Sequence, residues 1–447
     1  MEKRRLHLSY PHLVAAGFAA VILVGACLLM LPISSNNGTV TPFLSCLFTA
    51  TSATCVTGLI VVDTYLHWSV FGRMVIITLI QIGGLGFMTL MTGFSMALNR
   101  QISLRQRTLL KENFNTPDIS GMARLTKRIL FGTLLIEAVA AVVFATRLIP
   151  KFGFWDGLGR SVFLAISAFC NAGFDLFGDQ GAYSSLVAFS NDGVIIITTA
   201  MLILIGGIGF LVWDDVETHR WHFRRYRLHS KLTLTITVGI TVVTTLMFLF
   251  LEHDHTGEGL SLPQQLLNAF FASVTPRTAG FNSVDINQMH PASGALTTML
   301  MFIGGSSGST AGGIKTTTLA VLALCCVSNL FNRSGFNLFR RRLPSSLVVQ
   351  AVSVVGVQLM LALVGVFMIS AAQPELALTD IIFECFSAID TVGMTTGVTR
   401  DLSAFSRIVV LLMMYCGRLG SLTFAMVFVQ KRKKEALLYP EESVSVG

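Results

Sequence analysis

Charge is scarce in this chain. Only 13% of its 447 residues are Asp, Glu, Lys or Arg, where a soluble globular protein carries about 25%. With 53% hydrophobic residues and a mean hydropathy of +0.69, an ordinary water-soluble globule is excluded. Signatures of metal, redox and nucleotide chemistry are missing as well. The eight cysteines (27, 46, 55, 170, 325, 326, 385, 416) lie in or beside apolar segments with no C-x-x-C, and read as small buried hydrophobes. None of the nine histidines shares an apolar span with another, so haem or an intramembrane metal has no ligand set. No G-x-G-x-x-G follows a strand and no P-loop occurs, so any nucleotide control has to come from a partner. A membrane enzyme would need converging His, Cys or carboxylate groups in its spans, and none are found; no catalytic residue is assigned.

What the chain has is long apolar runs. Residues 13–33 form 21 residues without a charge, and 194–213 form 20 more. Each matches the roughly 20 residues that cross a hydrocarbon core. Lys3, Arg4 and Arg5 ahead of the first run also suit a signal peptide, but its length and the lack of an Ala-x-Ala site favour a retained span. The cations are placed rather than scattered: 23 of 32 Lys and Arg lie at the N-terminus and in 100–128, 220–231, 333–342 and 431–434. Acidic residues mark the alternate connections, with Asp175 and Asp179, then Glu252, Asp254 and Glu258, then Glu375 and Asp380. The positive-inside rule then predicts a multi-pass protein of the cell membrane with both termini cytoplasmic. Because the cations flank spans, topology accounts for them and nucleic acid is not expected as a partner.

A short motif recurs four times: Ser52-Ala53-Thr54-Cys55-Val56-Thr57-Gly58-Leu59, Ser167-Ala168-Phe169-Cys170-Asn171-Ala172-Gly173-Phe174, Val274-Thr275-Pro276-Arg277-Thr278-Ala279-Gly280-Phe281 and Ser387-Ala388-Ile389-Asp390-Thr391-Val392-Gly393-Met394. The glycines are 115, 107 and 113 residues apart, each with a phenylalanine ten positions upstream (Phe48, Phe163, Phe270, Phe383). Each repeat reads as span, half-length segment, loop, span: 13–33, 42–53, 54–59, 70–98; then 129–149, 157–169, 170–174, 191–213; then 232–251, 262–275, 276–281, 293–330; then 347–371, 378–389, 390–394, 404–429. Segments of ten to fourteen apolar residues suit re-entrant helices. The expected organisation is repeats 1–99, 100–213, 214–330 and 331–429 with a cytoplasmic tail 430–447. This is an all-α polytopic membrane protein, with four parallel span–pore helix–filter loop–span repeats around one central pore, pseudo-fourfold and potassium-channel-like. Non-helical backbone at membrane depth is tolerated only where it is buried in protein or lines a watery cavity. Four such loops imply a shared one. Parallel repeats also disfavour a carrier built on inverted repeats.

The loops carry the chemistry. A potassium ion sheds water only where other oxygens replace it, and rings of backbone carbonyls do this, as in the TVGYG loops of potassium channels. Gly58, Gly173, Gly280 and Gly393 permit positive φ, so successive carbonyls can face the axis. The predicted ion-binding set is Val56, Thr57 and Gly58; Asn171, Ala172 and Gly173; Thr278, Ala279 and Gly280; Thr391, Val392 and Gly393. The half-length helices would aim their negative C-terminal ends at the cavity and favour a cation.

On these four loops the chain resembles the TrkH/KtrB/HKT superfamily of potassium transporters, and within it the KtrB-type subunits, over essentially its whole length. Two positions depart from the family pattern, Cys55 and Cys170, where Thr and Asn are expected. The resemblance implies potassium selectivity where every loop has glycine, and Gly58 fits that; sodium-selective relatives carry Ser in the first loop. A sodium-selective or poorly selective cation pathway of the same fold is the alternative. The resemblance also implies a homodimer with a pore in each chain, sodium-stimulated uptake, and a cytosolic ring of nucleotide-binding, KtrA-like regulatory subunits.

The second span of each repeat has a glycine-rich centre: Gly83-Gly84-Leu85-Gly86, Gly206-Gly207-Ile208-Gly209, Gly305-Ser306-Ser307-Gly308 and Gly417-Arg418-Leu419-Gly420. In the first two repeats tight helix packing is the simpler reading. The third differs. From Gly304 through Gly305, Ser306, Ser307, Gly308, Ser309, Thr310, Ala311, Gly312 and Gly313 to Lys315 the composition opposes a helix, each Gly costing about 1 kcal/mol against Ala. A cavity-facing loop is expected, which the resemblance assigns as an intramembrane gate; a static kink is the alternative. Arg418 lies at the aligned position of repeat four, where a charge costs at least about 2.5–3.5 kcal/mol. It reads as a brace on the gate, a positive barrier, or a plain interhelical donor. Four further readings concern single residues. Arg277 and Asp390 align and could pair across the loops. Glu137 should find a neighbouring partner. Asp63 and Asp285 line an outer vestibule or lie on solvated surface. Lys315 marks the cytoplasmic boundary.

Overall fold

The computed structural model describes residues 10–86, 89, 90, 92, 96, 122–220, 222–331, 336–339 and 341–420. Lys3, Arg4 and Arg5, most of the basic segment 100–128, the end of the last span and the tail 430–447 lie outside the described residues. The first helix of each repeat is long and apolar: Tyr10–Met30, Met122–Phe152, Leu228–Leu251 and Ser345–Ala372. All four are long and apolar enough to cross a membrane, and their outward residues, such as Val142, Val238, Phe250 and Phe367, are exposed as lipid-facing side chains would be.

Each is followed by a half-length helix: Phe43–Cys55, Phe154–Cys170, Leu262–Val274 and Leu378–Ile389. These are the buried elements. Phe48, Phe163 and Phe383 are buried and Phe270 is half-buried. The half-length helices set the architecture by packing in a cycle. Each lies against the second-span helix of its own repeat and that of the repeat before it: Phe43–Cys55 against Val70–Leu85 and Ala404–Leu419, and Phe154–Cys170 against Gly193–Ile208 and Val70–Leu85. Leu262–Val274 lies against Pro291–Phe302 and Gly193–Ile208, and Leu378–Ile389 against Ala404–Leu419 and Pro291–Phe302. The cycle closes, so the repeats surround one axis. On the outer side the buried Arg160 ties its helix down. Its Nη1 and Nη2 donate to Asp179 at 2.7 and 3.0 Å and its Nε to Asp156 at 2.9 Å, with the guanidinium over the rings of Tyr65 and Phe152.

The second spans are interrupted in all four repeats, in repeat three where a loop was expected and in the other three where a continuous span was. Val70–Leu85 stops at Gly86, and Gly193–Ile208 bends by 94° into Phe210–His219. Pro291–Phe302 and Thr316–Leu330 are separate helices, and Ala404–Leu419 stops at Gly420. The glycine that ends each aligned centre has positive φ: Gly86 at 80°, Gly209 at 101°, Gly308 at 70° and Gly420 at 83°. A residue with a β-carbon is strained there. Sequence reasoning found a break only in repeat three, because a lone glycine in an apolar run looks like a packing site.

Packing also acts, three residues earlier. A β-carbon on Gly83 would lie 2.0 Å from the Thr54 carbonyl oxygen, one on Gly206 2.1 Å from that of Phe169, and one on Gly417 1.9 Å from that of Ile389. The second spans of repeats one, two and four thus press against the ends of their own half-length helices. Gly206→Val should lower the thermal midpoint of the detergent-solubilised protein, since overpacking costs about 1–3 kcal/mol. Gly239→Val, with nothing within 4 Å of the added carbon, is the control and should melt like the parent. Equal melting of all three proteins would overturn the close-packing account.

Candidate functional site

The four loops meet on the axis. In each, two residues are left-handed: Val56 and Gly58, Asn171 and Gly173, Thr278 and Gly280, Thr391 and Gly393, with φ between 52° and 99°. Sequence reasoning assigned the glycine and missed the residue two before it. Val and Thr are β-branched and cost energy in that region, and such strain persists only where the surroundings over-determine it. Here a pore-helix hydroxyl does so. Ser52 Oγ accepts from Gly58 N at 3.0 Å, and Ser387 Oγ from Gly393 N at 3.1 Å. Ser167 Oγ accepts from Phe174 N at 3.0 Å and donates to its carbonyl at 2.6 Å; Thr275 Oγ1 donates to Phe281 O. The signal was available: three of the four motifs place Ser six residues before the glycine.

Between the two left-handed residues sit Thr57, Ala172, Ala279 and Val392, and their carbonyls close a ring. A β-carbon on Gly58 would lie 2.7 Å from Ala172 O; on Gly173, 2.9 Å from Ala279 O; on Gly280, 2.4 Å from Val392 O; on Gly393, 2.0 Å from Thr57 O. Four oxygens and four glycines alternate around one circuit. All twelve loop residues singled out from the sequence are therefore brought together.

Above the ring lies a vestibule of about 320 Å³ floored by the four glycines. Asp63, Asp175 and Asp285 line it, together with Arg400. Asp63 is buried and accepts from Tyr65 N, Leu66 N and Tyr183 N at 2.8–3.0 Å, and Asp285 accepts from Asn287 N. Asp175 had been read only as a topology marker. Burial, with Asp63 nearby, pushes its carboxyl up to about 6.

Below the ring lies the irregular stretch between Phe302 and Thr316. It is anchored on three repeats. Gly304 N donates to Ile314 O at 2.9 Å, Ser306 N to Gly207 O at 2.9 Å, and Phe210 N to Gly308 O at 2.8 Å. Ser306 Oγ meets Thr316 Oγ1 at 3.0 Å, Ser307 Oγ meets Thr317 Oγ1 at 3.2 Å, and Ser309 Oγ donates to Ser306 O at 2.7 Å. Gly312 lies directly under the Thr391 hydroxyl. Arg418 donates through Nη1 to Thr310 O, and through Nη2 to Gly83 O and to Gly84 O at 3.4 Å. One guanidinium thus joins the loop of repeat three to the broken span of repeat one from its place in repeat four.

Two single-residue readings change and a third holds. Arg277 and Asp390 do not pair: Arg277 Nη2 donates to Thr237 at 3.3 Å, and Asp390 accepts from Gln358 Nε2 at 2.9 Å. Each side chain points behind its own loop, so alignment in sequence did not bring them together. Lys315 is more than a boundary marker, because its Nζ folds back to donate to Ala311 O at 2.7 Å and Gly312 O at 3.1 Å. Glu137 does find a partner, Gln81, whose Nε2 meets both carboxylate oxygens at 3.2 Å.

Comparison with known proteins matches this geometry to a family. The profile of the TrkH family, described as cation transport proteins, matches residues 12–437. The potassium/sodium uptake protein NtpJ of Enterococcus hirae is 40% identical, covering 100% of this chain and 99% of that protein. The Ktr system potassium uptake protein B of Bacillus subtilis is 39% identical over 98% of this chain and 96% of that protein. The crystal structure of the potassium transporter TrkH from Vibrio parahaemolyticus superposes with a TM-score of 0.72 at 18% identity, covering 96% of this chain and 86% of that one. With that span matched, this multi-pass membrane chain belongs to the TrkH family of cation transport proteins.

Proposed function

We propose that this chain is the membrane subunit of a potassium uptake system. Ions would pass the carbonyl ring of the four loops, and the 304–313 loop, held by Arg418 and Lys315, would be the gate. The observation that carries the reading is the closed alternation of Gly58, Gly173, Gly280 and Gly393 with the carbonyls of Ala172, Ala279, Val392 and Thr57, the arrangement that can replace an ion's hydration shell. The names of the Bacillus and Enterococcus relatives, potassium and potassium/sodium uptake proteins, support it. We also propose both termini in the cytoplasm, a homodimer, sodium stimulation, and regulation by cytosolic nucleotide-binding subunits of KtrA type. The test is flux of rubidium, potassium and sodium in proteoliposomes, with and without such a subunit. Sodium flux equal to potassium flux would favour the poorly selective alternative.

Three outcomes are expected. Gly58→Ser places a side chain 2.7 Å from Ala172 O at a φ of 99°, so potassium-over-sodium discrimination should fall about tenfold, a change of ~1.4 kcal/mol. Unchanged selectivity at normal expression would remove the filter assignment.

Arg418→Gln should conduct faster than the parent, because it loses both the charge and part of the fork that holds Thr310 and Gly83. Arg418→Lys keeps the charge and loses the fork, so a leak in it assigns bracing, and parental flux assigns repulsion. Parental flux and stability in the Gln variant would leave Arg418 with neither role.

The vestibule should respond to external pH. Asp175 is charged above about 6 and neutral below it, so the local cation concentration falls as the pH falls. Uptake at low ion concentration should therefore drop as outer pH goes from 7.5 to 5, by about twofold to fivefold for one lost charge. Asp175→Asn should be slow at both values and lack this step; a parental pH profile in the variant would refute the assignment.

A further inference from the structure

Behind the fourth loop sits a carboxylate with unused bonding capacity. Asp390 is fully buried. Its Oδ1 accepts from Gln358 Nε2 at 2.9 Å, an amide that also donates to Ile389 O at 3.2 Å. Its Oδ2 has no hydrogen-bond partner. A carboxyl group can bond through both of its oxygens, and here only one of them does.

The loop beneath the filter touches this carboxylate. A β-carbon on Gly313 would lie 3.3 Å from Asp390 Oδ1, and one on Gly312 would lie 3.2 Å from the Asp390 carbonyl oxygen. Lys315 holds the same stretch, giving two of its three N–H groups to Ala311 O and Gly312 O. The ammonium is near enough to act electrostatically on the carboxylate, yet the two are not bonded. A lysine and an open acceptor beside the same two glycines form a pair with two available states.

Moving the loop out of the pathway carries the carbonyls of Ala311 and Gly312 away and would strand an ammonium at membrane depth, at high cost. We propose that Asp390 receives Lys315 when the loop leaves: the ammonium exchanges those two carbonyls for the free Oδ2, and the carboxylate thereby sets the population of the open loop. Asp390 is in this sense a positioning residue, acting through Lys315 and not on the ion. A contact made only in the open state shifts the equilibrium toward it by its own differential strength. The proposal rests on the gate reading of the loop.

The test uses full-length chain and a chain deleted over 304–313, each in proteoliposomes with rubidium flux and potassium-over-sodium selectivity as readouts. Asp390→Asn keeps an acceptor for Gln358 and removes the charge. Lys315→Gln keeps donors for Ala311 and Gly312 and removes the attraction. Each should lower flux of the full-length protein about tenfold with selectivity unchanged, and the double variant should be no slower than either single one. In the deleted chain neither substitution should matter. Equal loss in the deleted chain, or altered selectivity, would overturn the proposal and make Asp390 a brace of the filter. Should Asp390→Asn fail to fold, Lys315→Gln decides alone: loss confined to the full-length chain supports the pair, and no loss refutes it. The gate reading fails separately, if the deletion by itself does not raise flux.

Discussion

Polar backbone at membrane depth has no water to bond, so every turn that leaves the helical ladder inside the bilayer must be satisfied by the protein or by what passes through it. Among the described residues this chain leaves the ladder at four loops around one axis and at four broken second spans. The rest of the structure follows from supplying those breaks. Pore-helix hydroxyls of Ser52, Ser167, Thr275 and Ser387 bond the far ends of the upper loops. The lower breaks in repeats one to three are bonded to one another: Phe210 N reaches Gly308 O, Ser306 N reaches Gly207 O, and Arg418 reaches the carbonyls of Thr310, Gly83 and Gly84. The loop carbonyls left facing the ring are those a cation can use.

Arg418 becomes intelligible in these terms. A guanidinium inside a span is expensive, but it offers five donors in a fixed plane, and the break in three helices leaves acceptors in surplus. The same holds for Lys315 with Ala311 and Gly312. The cations are local solutions to exposed carbonyls.

Much of this was legible in the sequence because membranes simplify the code. Apolar length separates full spans from half-length helices, and fourfold recurrence of a glycine with its upstream phenylalanine fixed the loops to within two residues. The breaks at Gly86, Gly209 and Gly420 were not legible. A glycine in an apolar run satisfies equally well a close helix contact, as at Gly83 and Gly206, and a left-handed break three residues later; one letter does not separate the two. The left-handed Val56, Thr278 and Thr391 were hidden for the opposite reason, since β-branched residues argue locally against the conformation that the loop imposes. The partners of Arg277 and Asp390 depend on which side of a loop a side chain leaves, and that is set by neighbours from other repeats.

The four aligned positions three residues before the filter glycines show why one chain carries four unlike copies. They are Cys55, Cys170, Arg277 and Asp390, and all are buried behind the ring. A symmetric tetramer would place one residue type at all four, so any charge there would be repeated four times without compensation. In a single chain, two positions stay apolar and the charged ones are confined to repeats three and four. Those are the repeats that also supply the glycine-rich loop, Lys315 and Arg418. The backbone ring keeps its fourfold form while the side chains behind it differ. That freedom leaves the charged side chains beside the glycine-rich loop in half of the ring only.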